Sequence, residues 1–106
     1  MMKAKIEKEL LNMGFNPIHV GTIYLEEMIY KVYCMNKSVS KINLESEIYQ
    51  EVAKKYKKNP RTVKSNVVKA TNAVDTEIFL SKHKMNSSRF KLTPKLVIWL
   101  VIRQLE

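Results

Sequence analysis

Apolar residues recur at helical spacing along nearly the whole chain. Ile6, Leu10 and Met13 stand four and three apart, on one helix face, and Gly14 follows as a C-cap. Phe15 to Gly21, with Pro17 near its middle, reads as a loop. Thr22 is the expected N-cap of a second helix, with Glu26 and Glu27 as helix-start acids. The core face expected for it is Ile23, Leu25 or Met28, Ile29, Val32 and Tyr33, and it fades near Asn36. Lys37 to Asn43 is polar and reads as an irregular connection. A third helix begins around Leu44 to Ser46 and turns Ile48, Val52, Ala53 and Tyr56 to one side.

Asn59 and Pro60 form the next start signal, a capping side chain followed by the residue best suited to the first helical position. The fourth helix runs from Pro60 to about Ala73, with Val63, Val67, Ala70 and Val74 as its buried stripe. A short fifth helix is expected within Asp75 to Lys84, around Glu77 to Leu80, and a loop over Met85 to Leu92. Thr93-Pro94 repeats the start signal for a last helix to Leu105. Leu96 to Ile102 is apolar without interruption, which belongs in a core or an interface; core is the expectation. The fold class that follows is all-α. It is a compact bundle of five to six helices in one domain over residues 1–106, containing a helix-turn-helix at about 46–74. With two Gly and three Pro in the chain, a turn-rich sheet fold does not fit.

The chain has 106 residues, the size of one domain, and hydrophobic (45%) and charged (27%) fractions normal for a folded protein. Charge changes the picture: 19 Lys and Arg face 10 Asp and Glu, a net +9. A small domain this basic points to a polyanionic partner, nucleic acid first, with a basic surface kept for solubility as the plainer alternative. Cys34 is the single cysteine, so no intramolecular disulfide forms, and a reduced, cytoplasmic setting is expected. The N-terminus mixes charge with apolar residues, unlike a signal peptide. The longest apolar stretch falls far short of the ~20 residues that span a membrane, so no membrane partner is expected.

The basic residues concentrate in one place. From Lys54 to Lys69 there are seven, and no acid. In a helix-turn-helix the second helix enters the major groove N-terminal end first, while the first crosses the backbone. Ala53 is small where the second helix crosses closely, Val63 fills the crossing from the other side, and Val52 and Tyr56 complete the shared core. The outward residues Arg61, Lys64, Ser65, Val68 and Lys69, with Asn72, are the candidate base contacts. Arg and Lys reach guanine acceptors, and a Val methyl meets a thymine methyl. Lys54, Lys55, Lys57, Lys58, Asn59 and Thr62 are the candidate phosphate contacts, which fix position without reading sequence. Lys57 occupies the position after the first helix where Gly is often used. A solvated face of an ordinary bundle is the alternative for the same lysines.

Three segments resemble the C-terminal DNA-binding domain of the master response regulator of bacterial sporulation. Gly21-Thr22-Ile23-Tyr24-Leu25-Glu26-Glu27-Met28-Ile29, then Val32-Tyr33, is similar to its Gly-x-x-Tyr-Leu-x-x-Ala-Ile-x-x-Val-Tyr. Ile48-Tyr49-Gln50-Glu51-Val52-Ala53-Lys54-Lys55-Tyr56 resembles its Leu-Tyr-Pro-Asp-Ile-Ala-Lys-Lys-Phe, and Lys91-Leu92-Thr93 with Ile98 and Val101 its closing segment. The resemblance implies a six-helix domain whose fourth helix reads DNA, a bacterial transcription regulator, promoter boxes as sites, and a sigma factor of RNA polymerase as a further partner. The apolar last helix, should it serve as an interface, leaves a homodimer on DNA as an alternative arrangement. Arg61-Thr62-Val63-Lys64-Ser65-Asn66-Val67-Val68-Lys69 departs from the family's Ser-Arg-Val-Glu-Arg-Ala-Ile-Arg-His, so the core positions persist and the base-reading ones change type. The stretch after Asn72 is shorter and lacks the family's Trp and Gly-Asn. A phosphoacceptor receiver domain, at roughly a hundred residues, does not fit within this length.

Other function classes have thin support. His19, His83 and Cys34 lack metal-ligand spacing, and no Gly-rich phosphate loop occurs, so no enzyme, metal or cofactor is expected. Cys34 reads as a core position, and Glu45-x-Glu47 as helix-start acids. The rival reading is a helical protein-interaction module that uses the apolar last helix and binds no DNA.

Overall fold

The computed structural model describes residues 2–35, 38–74 and 92–105. Within them lie α1 (Met2–Asn12), α2 (Val20–Met35), α3 (Tyr49–Tyr56), α4 (Pro60–Asn72) and α5 (Pro94–Leu105). A 3-10 turn at Val39–Lys41 and a π-helical turn at Leu44–Ile48 lead into α3, and no strand occurs among the described residues. The all-helical expectation holds. The short helix expected within 75–84 and most of the loop expected over 85–92 lie outside the described residues.

α2 is the central helix. It packs against α1, α3, α4 and α5, and buries Tyr24, Leu25, Met28, Ile29 and Val32. It starts at Val20, two residues before the expected cap. His19 is the residue that caps it: its Nδ1 accepts from the Gly21 N–H at 3.0 Å, and its carbonyl accepts from Thr22 and Ile23. Thr22 lies inside the helix instead, with its hydroxyl buried and without a hydrogen-bond partner among the described residues. Glu26 and Glu27 are accordingly mid-helix residues and not helix-start acids. Ile23 and Tyr33, expected in the core, are 40% and 38% exposed. The buried stripe runs through Gly21, Leu25, Met28 and Val32, and Ile23 lies two residues, about 200°, from Gly21.

Gly21 decides how α2 meets α4. A Cβ added there would stand 1.9 Å from the Asn66 carbonyl oxygen and 2.9 Å from the Ala70 Cβ. The two backbones touch, which only glycine permits. Farther along, Val63, Val67, Ala70 and Val74 turn inward as their spacing predicts.

Helix ends follow local chemistry. After α1 the chain reverses at Gly14, with φ 95°; the Phe15 N–H returns to the Leu10 carbonyl and the Gly14 N–H to that of Leu11. Before α3, the Asn43 side chain accepts from the Ser46 N–H while Glu47 accepts from the Asn43 N–H at 2.8 Å. The connection ahead of it is less polar in effect than its composition: Val39 and Ile42 are buried, and Lys95 of α5 donates to the Ile42 carbonyl. Thr93 caps α5 by accepting from the Leu96 N–H. Val97, Ile98, Leu100 and Val101 are buried, so that helix is mainly core. Trp99 stays 42% exposed, with the Arg103 guanidinium over its ring.

Gly21→Ala tests the α2–α4 contact. In an ordinary helix the change stabilises by about 0.5–1 kcal/mol. Here it forces two backbones apart, and unfolding in urea should show a loss of about 3 kcal/mol. A raised midpoint would show that the helices are not in backbone contact.

Candidate nucleic-acid interface

α3 and α4 are joined by Lys57, Lys58 and Asn59 alone. Val52, Ala53 and Val63 are all buried, while Tyr56, expected with them in a shared core, is half-buried. Lys57 adopts φ 55°, ψ 47°, the left-handed conformation that glycine accepts without strain. Its N–H returns to the Lys54 carbonyl and the Lys58 N–H to that of Ala53, the same pair of bonds that closes α1 at Gly14. Asn59 then caps α4, its Oδ1 accepting from the Arg61 N–H at 2.8 Å, with Pro60 as the first helical residue.

This geometry places the predicted contact residues outward. Arg61, Lys64, Ser65 and Lys69 are exposed and Val68 is half-buried; Lys54, Lys55, Lys57, Lys58, Asn59 and Thr62 are all exposed. Arg61, Ser65, Val68 and Asn72 follow one another by four, three and four residues, one stripe opposite Val63, Val67 and Ala70. Asn66, beside it, is half-buried and turns back to bond the Thr62 carbonyl.

The basic run contains no acid in sequence, yet other elements bring acids to it. Lys55 donates to Glu27 of α2 at 2.8 Å, and Lys3 of α1 reaches the other Glu27 oxygen at 3.0 Å. The Glu27 side chain is 8% exposed. Burial pushes its carboxyl up, but the hydrogen bonds from Lys55 and Lys3 outweigh burial and hold it below its ordinary value. Lys3 is pulled up in turn, chiefly by its hydrogen bond to Glu27. Lys55 is therefore part of a brace between α1, α2 and α3. Lys64 is ion-paired with Glu45 of the π-helical turn, and Lys54 lies 3.9 Å from Glu51. Lys57, Lys58, Arg61 and Lys69 carry no ion pair among the described residues. Neither acid partner was visible in the sequence: Glu27 is 28 residues from Lys55, and Glu45 is 19 from Lys64.

Elsewhere the surface offers less. Cys34 is exposed, against the expectation of a core position. It lines an open groove with Tyr30, Met35, Glu47 and Ile48. Among the described residues no group of three or more His, Cys, Asp or Glu could hold a metal ion. No described helix is long and apolar enough to cross a membrane. The chain matches no protein-family model, no curated protein and no solved structure.

The Glu27 brace has a pH signature. A depressed carboxyl contributes stability that is complete above its unfolded value, near 4.5, and is lost as pH falls through the lower folded value. Glu27→Gln should cost about 1–2 kcal/mol at pH 7, since both lysines are half-exposed and can rehydrate. Thermal melts of parent and variant should converge as pH approaches 3. A constant gap at both pH values would mean that the charge of Glu27 contributes nothing.

Proposed function

We propose that this chain binds double-stranded DNA, with α3 and α4 acting as a helix-turn-helix and α4 entering the major groove by its N-terminal end. The observation that carries this reading is the placement of Lys57, Lys58, Arg61 and Lys69. They are exposed and free of ion pairs among the described residues, on a connector and a helix whose opposite face is fixed in the core. Together they gather four cations onto one connector and one helix face, the concentration of positive charge that a polyanion requires. The first turn of α4 also presents its positive dipole end where phosphates would lie.

The roles divide by position. Lys57 and Lys58, on the connector, meet phosphates, supported by Lys54, Asn59 and Thr62. Arg61, Ser65 and Lys69 reach base edges, and Val68 offers an apolar contact. Lys55 is the weakest of the phosphate candidates, because Glu27 holds it. On the resemblance of its three segments, the protein acts as a cytoplasmic transcription regulator of the sporulation response-regulator type at promoter DNA. A sigma factor is the further partner that the resemblance implies, and the apolar last helix is the surface on which a second copy would pair. The altered residues of α4 imply a different DNA box from the family's.

Binding to a random-sequence duplex across a salt series tests the reading. It requires log affinity to fall linearly with log salt. Lys57→Gly separates structure from contact. It relieves the left-handed strain and should stabilise the fold by about 1 kcal/mol, yet shrink the salt slope by about one unit. A stabilised variant with the parent's slope would remove Lys57 from the interface.

Selection of bound sites from a random pool tests base reading. Arg61→Ala should relax preference at one position, by about 1–3 kcal/mol of discrimination. Identical preferences in parent and variant would exclude Arg61 from base contact.

A further inference from the structure

Lys64 differs from the other two cations of α4, because among the described residues it alone is held by an acid. The acid, Glu45, comes from the turn before α3 and is 64% exposed. The direction of its side chain has a local cause. Asn43 closes the start of that turn with Ser46 and Glu47, so Glu47 folds back onto the Asn43 N–H. Glu45 occupies a different side of the same turn and reaches α4. The result is a carboxylate beside Lys64, an exposed cation of α4.

We propose that Glu45 is a brake on the affinity of α4 for DNA. The inference rests on the DNA reading and adds an element that limits it. When α4 docks, Lys64 must leave Glu45 before it can bond a phosphate or a base edge. A free lysine displaces a counterion from DNA and gains affinity at low salt. A lysine that leaves a carboxylate gains much less: the vacated carboxylate recovers a cation from solution, and the net release is close to zero. Lys64 therefore adds little to affinity while Glu45 is present.

Glu45→Gln keeps the size of the side chain and removes its charge, at an exposed position where the fold has little to lose. Affinities for a random-sequence 20-bp duplex are measured by fluorescence anisotropy for the parent, Glu45→Gln, Lys64→Ala and the double variant. One restored contact steepens the salt slope by about 0.9, and binding of Glu45→Gln should be about five- to tenfold tighter near 0.1 M salt. The advantage should shrink as salt rises. In the Lys64→Ala background the same substitution should give little gain. A gain that persists without Lys64 would show that charge, and not the pair, is responsible, and would overturn the inference. Parent binding that Glu45→Gln leaves unchanged would overturn it and leave the DNA reading intact. Absence of duplex binding by both parent and Glu45→Gln would overturn the two together.

Discussion

At Gly21 the backbone of α2 runs against that of α4, close enough that a single methyl group would collide with the Asn66 carbonyl. A glycine inside a helix is unfavourable by about 0.5–1 kcal/mol relative to alanine. The tight passage offsets this by letting Val63, Val67 and Ala70 sink fully into the core beside it. It also fixes the rotation of α4 about its own axis. Once Asn66 and Ala70 face Gly21, the residues half a turn away must face outward, and these include Arg61, Ser65 and Asn72. The arrangement of the candidate interface thus depends on a contact on the far side of the helix, made by a residue with no side chain.

The two ends of α1 and α3 show the same backbone solution with opposite chemistry. Gly14 closes α1 at positive φ, and a Cβ there would meet only ordinary contacts, so conformation alone calls for glycine. Lys57 closes α3 with the same bonds and accepts the strain of a left-handed non-glycine residue. Strain of this kind persists where the surroundings over-determine it. Here the surroundings are strong: the Ala53 and Lys54 carbonyls hold the turn from one side, and the Asn59–Pro60 cap fixes the next helix two residues later. The side chain kept at that cost is a cation at the tip of the basic connector, as the proposed phosphate contact needs.

Much of the bundle was legible because its signals are local. The Gly14 stop, the Asn59-Pro60 and Thr93-Pro94 starts, and the stripes of α1 and α4 each depend on residues a few positions apart, and each is where the local signal put it. The start of α2 was not, because Thr22 is a better cap by type than His19; the close passage at Gly21 draws the helix start forward and buries Thr22. Val39 and Ile42 were missed in a polar segment because two isolated apolar residues carry no period. The candidate interface was legible in its outward residues, which follow from the helix period. Its pairing was not: Glu27 and Glu45 meet their lysines only through packing between elements far apart in sequence.

Those two acids make similar bonds with different consequences, and burial decides which. Glu27 is almost fully covered, so breaking its bonds would leave a charge with neither protein nor water around it. Lys3 and Lys55 are therefore held for as long as the helices are packed, and the pair works as a brace. Glu45 is mostly exposed, so water can replace Lys64 at little cost. That pair opens without disturbing the core. In a chain of net charge +9, a wholly unpaired α4 would bind any polyanion on charge alone. In the proposed interface, a solvated acid beside Lys64 would lower that general attraction while leaving the lysine within reach of a partner able to displace it. The same ion-pair chemistry thus yields a fixed element below the surface and a releasable one upon it.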